Sequence, residues 1–339
     1  MKMKKLICFL PLLIILLASC RSSKELHKKE VTLHRVDTLD HPQKEISFSI
    51  EDTLLAIKPK KKSKKEEKRG EVILPKLNEI TQSTTSLSTN YKGINRIQFY
   101  EFKHTDVPAA FHGFRIAFVS DLHYTSLFKK DGLLNLVRLL NEQKADVLLM
   151  GGDFYEGCHH IPELFAELAK VKTVYGSYTV LGNNDYEACY EQGVKEMKKH
   201  GIKVLEHKVD TIRKGKEFIQ IAGIRNPFNL KQNGVSPTLS LHPNDFVILL
   251  THTPDYAEDV SVDNTDLALA GHTHGGQVRI LGRAPIIPSK YGQRFLTGVR
   301  YTTAGVPLII TNGLGTSRIN LRISSPSEIV IITLLQMGS

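Results

Sequence analysis

The amino-acid sequence predicts an α/β fold from Gly93 onward, in which a β-sheet is covered by helices. In the first half of this region, short apolar runs alternate with segments of helical periodicity, a pattern typical of strands joined by helices. Nearly every apolar run ends in a loop that contains Asp, His or Asn, where open α/β sheets place their ligands. The composition, with 41% hydrophobic and 24% charged residues, supplies a sizeable core and excludes both wholesale disorder and a multi-span membrane protein.

The predicted elements alternate between strand and helix as far as residue 205. The strands are expected at 94–102, 114–120, 146–150, 175–181 and 203–205, and the helices at 133–141, 162–170 and 187–200. Beyond Lys208 the apolar runs are mostly strand-like, at 218–224, 246–251, 267–270, 277–281, 306–311 and 328–335. Because few helical segments separate these later runs, we expect the second half to be richer in antiparallel sheet.

The first twenty residues are typical of an export signal. Three lysines precede an apolar stretch at 6–17, which is too short for a comfortable transmembrane helix. The stretch ends in the letters LASC at 17–20, which resemble a bacterial lipobox. This resemblance predicts a lipoprotein signal peptide at 1–19, a lipidated Cys20 as the mature N-terminus, and a membrane-anchored protein of the bacterial cell envelope. An uncleaved signal anchor, the alternative, would also export the rest of the chain.

Most of the positive charge lies outside the predicted folded region. Residues 20–92 contain 16 Lys and Arg against 11 Asp and Glu, whereas residues 93–339 carry a net charge of only +2. We therefore interpret 20–92 as a basic, low-complexity tether and 93–339 as one folded domain. The nearly neutral domain gives no reason to expect a nucleic-acid partner.

Five loops at strand ends carry residues that can bind metal ions. They contain Asp121 and His123, then Asp153, then Asn183, Asn184 and Asp185, then His252, and finally His272 and His274. In the D-x-H and H-x-H pairs, the alternation of an extended chain would send both side chains to one side. A single such residue is more often a helix cap or a surface histidine, but five loops in this order favour a metal centre.

The ordered set resembles the calcineurin-like metallophosphoesterase family, whose motifs are D-x-H, G-D, G-N-H-[DE], a lone H and G-H-x-H. The variant GHTHGGQ at 271–277, followed by NGLGTS at 312–317 and by Arg322, resembles a subgroup of membrane-associated phosphodiesterases. The resemblance covers about 113–335. It implies two packed mixed β-sheets flanked by helices, the four-layer metallophosphoesterase sandwich, with metals at the sheet edges.

The resemblance also implies the roles of individual residues. The first metal would be held by Asp121, His123 and His274, the second by Asn183, His252 and His272, and Asp153 would bridge both. Imidazole and carboxylate ligands suit Mn, Fe or Zn. Two such ions would share a hydroxide that attacks the phosphorus of a phosphate ester directly, without a covalent enzyme intermediate.

Asn184 departs from the family pattern, which has a histidine at this position. An asparagine cannot donate a proton at neutral pH but can hydrogen-bond to a phosphoryl oxygen. We therefore expect a preference for pyrophosphate-type or otherwise activated diesters, such as a nucleotide-linked or lipid-linked substrate, whose leaving group needs little protonation. The alternative interpretation is that Asn184 only fixes the loop. Asp185, the second catalytic candidate, is expected to hydrogen-bond inside that loop.

Two further alternatives remain open. The loss of the histidine at Asn184 also fits a catalytically impaired, metal-containing envelope binding protein, although all seven proposed metal ligands are present. Cys158 and Cys189 follow two of the metal loops and would be able to pair in an oxidising compartment. Two unpaired thiols are the favoured interpretation of these cysteines.

Overall fold

Two mixed β-sheets form the centre of the computed structural model, which describes residues 76–87, 91–230 and 234–338. The predicted signal peptide, Cys20 and most of the predicted tether lie outside the described residues. Within the described part of the chain, no helix has the length and apolar character needed to cross a bilayer.

The first sheet has seven strands in the order β1-β2-β13-β3-β4-β5-β6. Its strands are β1 (Asn78–Ser86), β2 (Arg96–His104), β3 (Phe114–Val119), β4 (Val147–Met150), β5 (Ser177–Thr179), β6 (Ile202–Val204) and β13 (Glu328–Gln336). Strands β3 to β6 are parallel, with Ile116 opposite Val147 and Leu148 opposite Ser177. The carboxyl ends of these strands therefore lie at one edge of the sheet.

The second sheet has six strands in the order β11-β12-β10-β9-β8-β7. Its strands are β7 (Lys208–Lys214), β8 (Glu217–Gly223), β9 (Val247–Leu250), β10 (Leu267–Ala270), β11 (Gly298–Tyr301) and β12 (Pro307–Ile310). Only the two pairings at its edges are antiparallel, β7 with β8 and β11 with β12, within the described strands. Among the strands that the structure describes, two of its five pairings are antiparallel, against two of six in the first sheet, so the second half is richer in antiparallel sheet than the first only by a small margin. Helical turns and long loops between β8, β9, β10 and β12 return the chain to the same end and keep these strands parallel.

The alternation of side chains along each strand builds the layers. On β4, Leu148 and Met150 pack with the helices on the outer face, whereas Val147 and Leu149 pack between the two sheets. Strands buried on both faces are apolar throughout, as expected for the centre of an α/β sandwich. The helices are α1 (Lys130–Gln143), α2 (Ile161–Leu168) and α3 (Tyr190–Lys199) on the first sheet, and the short α4 (Asp255–Asp259) on the second. The predicted fold class, two packed mixed sheets flanked by helices, is confirmed.

Three strands escaped prediction, and one predicted strand is absent. The polar strand β1 pairs with β2 over nine residues, from Asn78 opposite His104 to Ser86 opposite Arg96, so this part of the predicted tether belongs to the first sheet. Main-chain hydrogen bonds hold β1 and its side chains are largely exposed, which explains the missing hydrophobic signal. Strands β7 and β11 were also missed. The predicted strand at 277–281 is instead a loop that makes two isolated bridges, at Val278 and Ile280.

Cys158 and Cys189 form a disulfide, so the expectation of two unpaired thiols is wrong. Cys158 lies in a short turn before α2, and Cys189 caps the start of α3. These two helices pack side by side on the first sheet and bring the Cα atoms to 5.4 Å, within the range that a disulfide spans. The sequence gives no information on this helix contact.

A charged cluster joins the beginning of the described chain to both sheets. The Lys76 ammonium lies 2.6 Å from Asp266 Oδ1 and 2.9 Å from Asp106 Oδ2. The Asp266 carboxylate is buried and also accepts a hydrogen bond from the Val247 amide. Burial raises the pKa of Asp266 to about 6, although Lys76 opposes this shift. Lys76 thus supplies the positive charge that the buried carboxylate requires.

Replacement of Lys76 by Ala should lower the free energy of unfolding by about 2 to 3 kcal/mol near pH 8, because the ionised Asp266 then lacks its cation. Below a pH of about 6, Asp266 is mostly protonated in the folded protein, so the loss should shrink toward about pH 5. Urea unfolding at both pH values measures this difference. Lys92→Ala is the control, since its ion pair with Asp131 is exposed and worth little. Equal losses of unfolding free energy for Lys76→Ala at both pH values would contradict the role of Lys76 as the cation that compensates the ionised Asp266.

Candidate metal centre

The five predicted loops meet at the carboxyl ends of the parallel strands. Strands β3, β4 and β5 of the first sheet and β9 and β10 of the second each lead directly into one of them. The edges of the two packed sheets therefore supply one site from both sides, as open α/β sheets do. The structure places all seven predicted ligands in these loops.

The acids and histidines form two groups, each with candidate ligand atoms within 4.8 Å of one another. One group is Asp121, His123 and His274, and the other is Asp153, His252 and His272. One oxygen of Asp153, Oδ2, lies 3.4 Å from His123 Nε2 and 3.5 Å from His252 Nε2. Asp153 thus faces both groups. The division matches the ligand sets predicted for two ions, while the binding of ions by these residues stays a prediction.

The ligand loops have an unusual backbone. Five of the seven predicted ligands have positive φ angles, namely Asp121 at 53°, His123 at 39°, Asp153 at 55°, His272 at 68° and His274 at 52°. The left-handed region is uncommon for residues other than glycine, and such strain is concentrated at functional sites. The expectation that an extended chain aligns the D-x-H and H-x-H pairs is therefore wrong. The backbone turns sharply as it leaves each strand, and this turn directs the side chains into the site.

Two glycines allow the loops to approach this closely. A Cβ atom on Gly271 would lie 2.1 Å from Ser120 Oγ and 2.3 Å from Asp121 Oδ2. A Cβ atom on Gly182 would lie 2.1 Å from Asp153 Oδ1. Any side chain at either position would displace a carboxylate of the site.

Hydrogen bonds orient two of the histidine rings. His252 Nδ1 lies 2.7 Å from the Gly151 carbonyl oxygen, and His123 Nδ1 lies 2.6 Å from Glu156 Oε1. Each partner is an acceptor, so each ring donates from Nδ1 and directs Nε2 toward the site. The sequence did not identify Glu156, because it belongs to no motif and meets His123 only through the contact between two loops.

Neighbouring carboxylates set the charge of these same two histidines. Burial lowers the pKa of His123, but Asp153, Glu156 and Asp121 outweigh it and raise the pKa to about 10. Burial is likewise outweighed at His252, whose pKa is raised to about 9 by Asp153 and Asp121. Protons on these rings therefore balance the buried carboxylates. Divalent cations bound at the same atoms would displace those protons.

The other two histidines remain neutral. Burial and the positive charge of His252 lower the pKa of His272 to about 3. Burial and the charge of His123 hold the pKa of His274 well below its usual value. Neutral imidazole is the form that binds metal ions.

Several buried atoms of the site lack a hydrogen-bond partner among the described residues. They are His123 Nε2, His274 Nδ1 and Asn183 Oδ1. An unsatisfied buried polar atom is costly and rare, and nitrogen and oxygen donors of this kind suit Mn, Fe or Zn. The residues therefore fit a site for divalent cations.

Asn184 orients its neighbour. Its Oδ1 accepts a hydrogen bond of 2.6 Å from Asn183 Nδ2, which turns Asn183 Oδ1 away as the unpartnered atom. The Asn184 amide nitrogen lies 3.3 Å from Glu156 Oε1 and from His123 Nδ1, and its backbone N–H donates to Asp153 Oδ1. These contacts are those of a residue that fixes the loop at the edge of the site.

Asp185 connects the loop after β4 to its own loop after β5. Its buried carboxylate accepts hydrogen bonds from the backbone N–H groups of Asp153, Phe154 and Gly182. Burial and the charge of Asp153 raise the pKa of Asp185 to about 7. The bond from Gly182 lies inside the loop, as expected, whereas the bonds from Asp153 and Phe154 come from the loop after β4 and position Asp153 relative to the Asn183 loop. The catalytic role predicted for Asp185 stays a prediction.

Two further residues at the edge of the site carry contacts that the motifs did not specify. The Arg322 guanidinium donates to the carbonyl oxygens of Asn312 and Gly315 and so closes the loop at 312–317 beside Asp121. The half-exposed ring of Phe228 lies against His272, with centroids 5.0 Å apart. Arg322 was identified only as part of a subgroup motif, and Phe228 was not identified from the sequence.

Comparison with known proteins places this geometry in context. Residues 114–276 match the family model described as calcineurin-like phosphoesterase. The uncharacterized metallophosphoesterase YkuE of Bacillus subtilis (strain 168) is 29% identical over 247 residues, which cover 69% of this chain and 84% of that protein. An uncharacterized metallophosphoesterase of Aquifex aeolicus (strain VF5) is 26% identical over 251 residues, or 72% of this chain and 93% of that protein.

A solved structure with partial similarity is that of Haemophilus influenzae NAD nucleotidase (NadN). It is 17% identical, with a TM-score of 0.39, and the match covers 59% of this chain and 50% of that one. Similarity at this level carries no information on the substrate of the present chain.

Glu156→Ala should lower the affinity for Mn²⁺ by about 10-fold to 100-fold, because His123 loses the acceptor that fixes its ring. Isothermal titration of the metal-depleted full chain measures this change. Glu187→Ala is the control, since Glu187 is an exposed acid five residues after Gly182 in the neighbouring loop. If Mn²⁺ bound equally well to both variants, Glu156 would have no role in orienting His123.

Proposed function

We propose that this chain, a metal-dependent phosphoesterase with a calcineurin-like metallophosphoesterase domain, binds two divalent ions and hydrolyses a phosphodiester or pyrophosphate-type ester. The observation that carries the two-ion proposal is the position of Asp153, whose Oδ2 lies at nearly equal distances from His123 and His252. A carboxylate between two groups of nitrogen ligands is suited to bridge two cations.

The seven candidate ligands would form two sets, one for each ion. Asp121, His123 and His274 would bind one, and Asn183, His252 and His272 the other, with Asp153 shared. When bound, such ions polarise phosphoryl oxygens and lower the pKa of water, which makes a nucleophile available near neutral pH. The identity of the ions, Mn, Fe or Zn, is left to experiment.

The protein supplies orientation and a fixed electrostatic environment. Glu156 and the Gly151 carbonyl hold two imidazoles in place, and Asp185 holds the Asp153 backbone. Groups fixed before the substrate arrives need no reorganisation during the reaction. The Asn184 amide, at the edge of the site, can donate a hydrogen bond to a substrate oxygen but cannot protonate a leaving group.

Because Asn184 cannot protonate a leaving group, the site favours a substrate whose leaving group needs little protonation. A pyrophosphate linkage expels a phosphate that needs little protonation, whereas an alkyl diester expels a basic alkoxide. We infer a nucleotide-linked or lipid-linked pyrophosphate-type substrate. The lipobox-like sequence ending at Cys20 supports an exported, lipid-anchored protein of the bacterial cell envelope, in contact with such substrates.

The second candidate function is a catalytically impaired, metal-containing binding protein of the envelope. The observation in its favour is the hydrogen bond from Asn183 to Asn184. This bond gives Asn184 a role in positioning a candidate metal ligand, so a catalytic role is not needed to explain the residue. Both candidates require the same ions, so only turnover separates them.

The experiment that tests the proposal combines metal analysis with turnover. The full chain, purified in detergent, depleted of metal and reloaded with Mn²⁺, Fe²⁺ or Zn²⁺, should bind two ions and hydrolyse bis(p-nitrophenyl) phosphate. Asp153→Asn keeps the shape of the side chain and should lower turnover by about 100-fold or more, as is typical when an electrostatic group of an active site is removed. Two bound ions without turnover for any of the three metals would instead support the binding protein.

Asn184→His should raise kcat/KM selectively for diesters with poor leaving groups, by roughly 10-fold to 100-fold, if a proton donor is what the site lacks. A series of aryl diesters with leaving groups of increasing pKa measures the effect as a shallower dependence of rate on that pKa. Asn184→Ala is the control, since it removes the bond to Asn183 without adding a donor. An equal change for good and poor leaving groups in Asn184→His would refute the leaving-group argument and support the loop-fixing role.

A further inference from the structure

Two loops beside the metal centre form one continuous surface, here called the rim surface and defined as residues 277–288 and 317–324. The Gln277 side-chain amide donates to the carbonyl oxygens of Ser317 and Ile319. The Ile323 amide donates to the Gln277 carbonyl, and the Arg279 amide donates to the Ile323 carbonyl. These bonds hold the two loops side by side.

The rim surface exposes large aliphatic side chains. Leu281 is 99% exposed, Ile286 is 67% exposed and Ile280 is 59% exposed on the first loop. On the second loop, Ile319, Leu321 and Ile323 are between 44% and 49% exposed. Scattered apolar residues are normal on a protein surface, but a group of six on two adjoining loops indicates an interaction site.

The charge of the rim surface has one sign. Its two loops contain four arginines and no Asp, Glu or Lys. Arg283 and Arg318 are exposed, and neither has an acidic partner among the described residues. Aliphatic side chains interspersed with arginines, without acids, match a bilayer that contains anionic lipids, where the cations reach headgroups and the aliphatic groups enter the apolar layer.

The other two arginines fasten the rim surface to the metal centre. Arg279 donates to the Asn312 side chain, and Arg322 donates to the backbone carbonyls of Asn312, Gly315 and His274. The Gln277 amide also donates to the His274 carbonyl. The exposed aliphatic groups therefore lie on loops that are hydrogen-bonded to the backbone of a candidate metal ligand, His274.

We propose that the rim surface docks on an anionic bilayer, with Leu281 and Ile286 inserted below the headgroups and Arg283 and Arg318 at headgroup level. This contact is separate from the predicted lipid anchor at Cys20, because it orients the folded domain, whereas the anchor only keeps the domain near the membrane. It brings the metal centre to the bilayer surface. If the proposed function holds, a lipid-linked phosphate ester reaches the metals without leaving the membrane.

The absence of tryptophan from the chain allows a test without background emission. Leu281→Trp, and separately Ile286→Trp, are introduced into the full chain, which is reconstituted into phosphatidylcholine and phosphatidylglycerol vesicles containing a bromine-labelled phosphatidylcholine. Val174→Trp is the matched control. Val174 is 77% exposed and precedes β5, whereas the metal loops follow their strands, so it lies at the opposite end of the sheet.

A docked rim surface should place the probe about 5 to 10 Å below the headgroups, so brominated lipid should lower its emission by about two-fold or more. The Val174→Trp probe should keep its emission. Adding Arg283→Glu and Arg318→Glu to Leu281→Trp, or omitting phosphatidylglycerol, should restore most of the lost emission. Hydrolysis of bis(p-nitrophenyl) phosphate should be unchanged in all these variants, which shows that the site is intact.

Three results would overturn the proposal. Equal quenching at 174 and at both rim positions would mean that the anchor alone sets the distance, and quenching at neither would mean that the surface stays in water. If both rim probes are already shielded from water in detergent, before vesicles are added, and brominated lipid does not quench them in vesicles, another copy or another part of this chain covers the surface. If the soluble diester is hydrolysed in any of these cases, the docking proposal fails while the proposed function stands.

Discussion

The site depends on one electrostatic constraint, which is the burial of two carboxylates and three imidazoles in a common space, beside the half-buried imidazole of His272. Asp121 and His252 are fully buried, and Asp153 is 2% exposed. Charged groups in such surroundings are tolerated only when opposite charges and hydrogen bonds compensate them. The pKa of Asp153 is held well below its usual value, because His252 and His123 outweigh the effect of burial. The sharp turns after the strands, the close glycines and the backbone bonds to Asp185 all maintain this arrangement.

The sequence predicted the chemistry of the site better than its geometry. Asp121, Asp153 and the histidines were predictable because polar residues directly after buried strands must lie at the edge of the sheet. Their backbone conformation was not, since no sequence pattern marks the positive φ of a residue such as His272. Glu156 was not predictable either, because an acid three residues after Asp153 meets His123 only in the folded protein.

The strands and the disulfide also separate into features that sequence patterns reveal and features that they do not. The buried strands β3, β4, β9 and β10 are apolar on both faces, so their sequence reveals them. Strand β1 is polar and depends on main-chain bonds to β2, and the disulfide depends on the packing of α2 against α3. Patterns of single residues predict burial, whereas contacts between elements that are distant in sequence require the three-dimensional structure.

The unpartnered atoms of His123, His274 and Asn183 have a consequence for the thermodynamics of the whole chain. An ion that binds the folded state but not the unfolded state contributes about 2.7 kcal/mol per site when its free concentration is 100 times the dissociation constant. Folding and ion uptake are then linked equilibria. If these residues bind cations as proposed, the melting temperature of the protein rises with the free cation concentration, and a chelator lowers it.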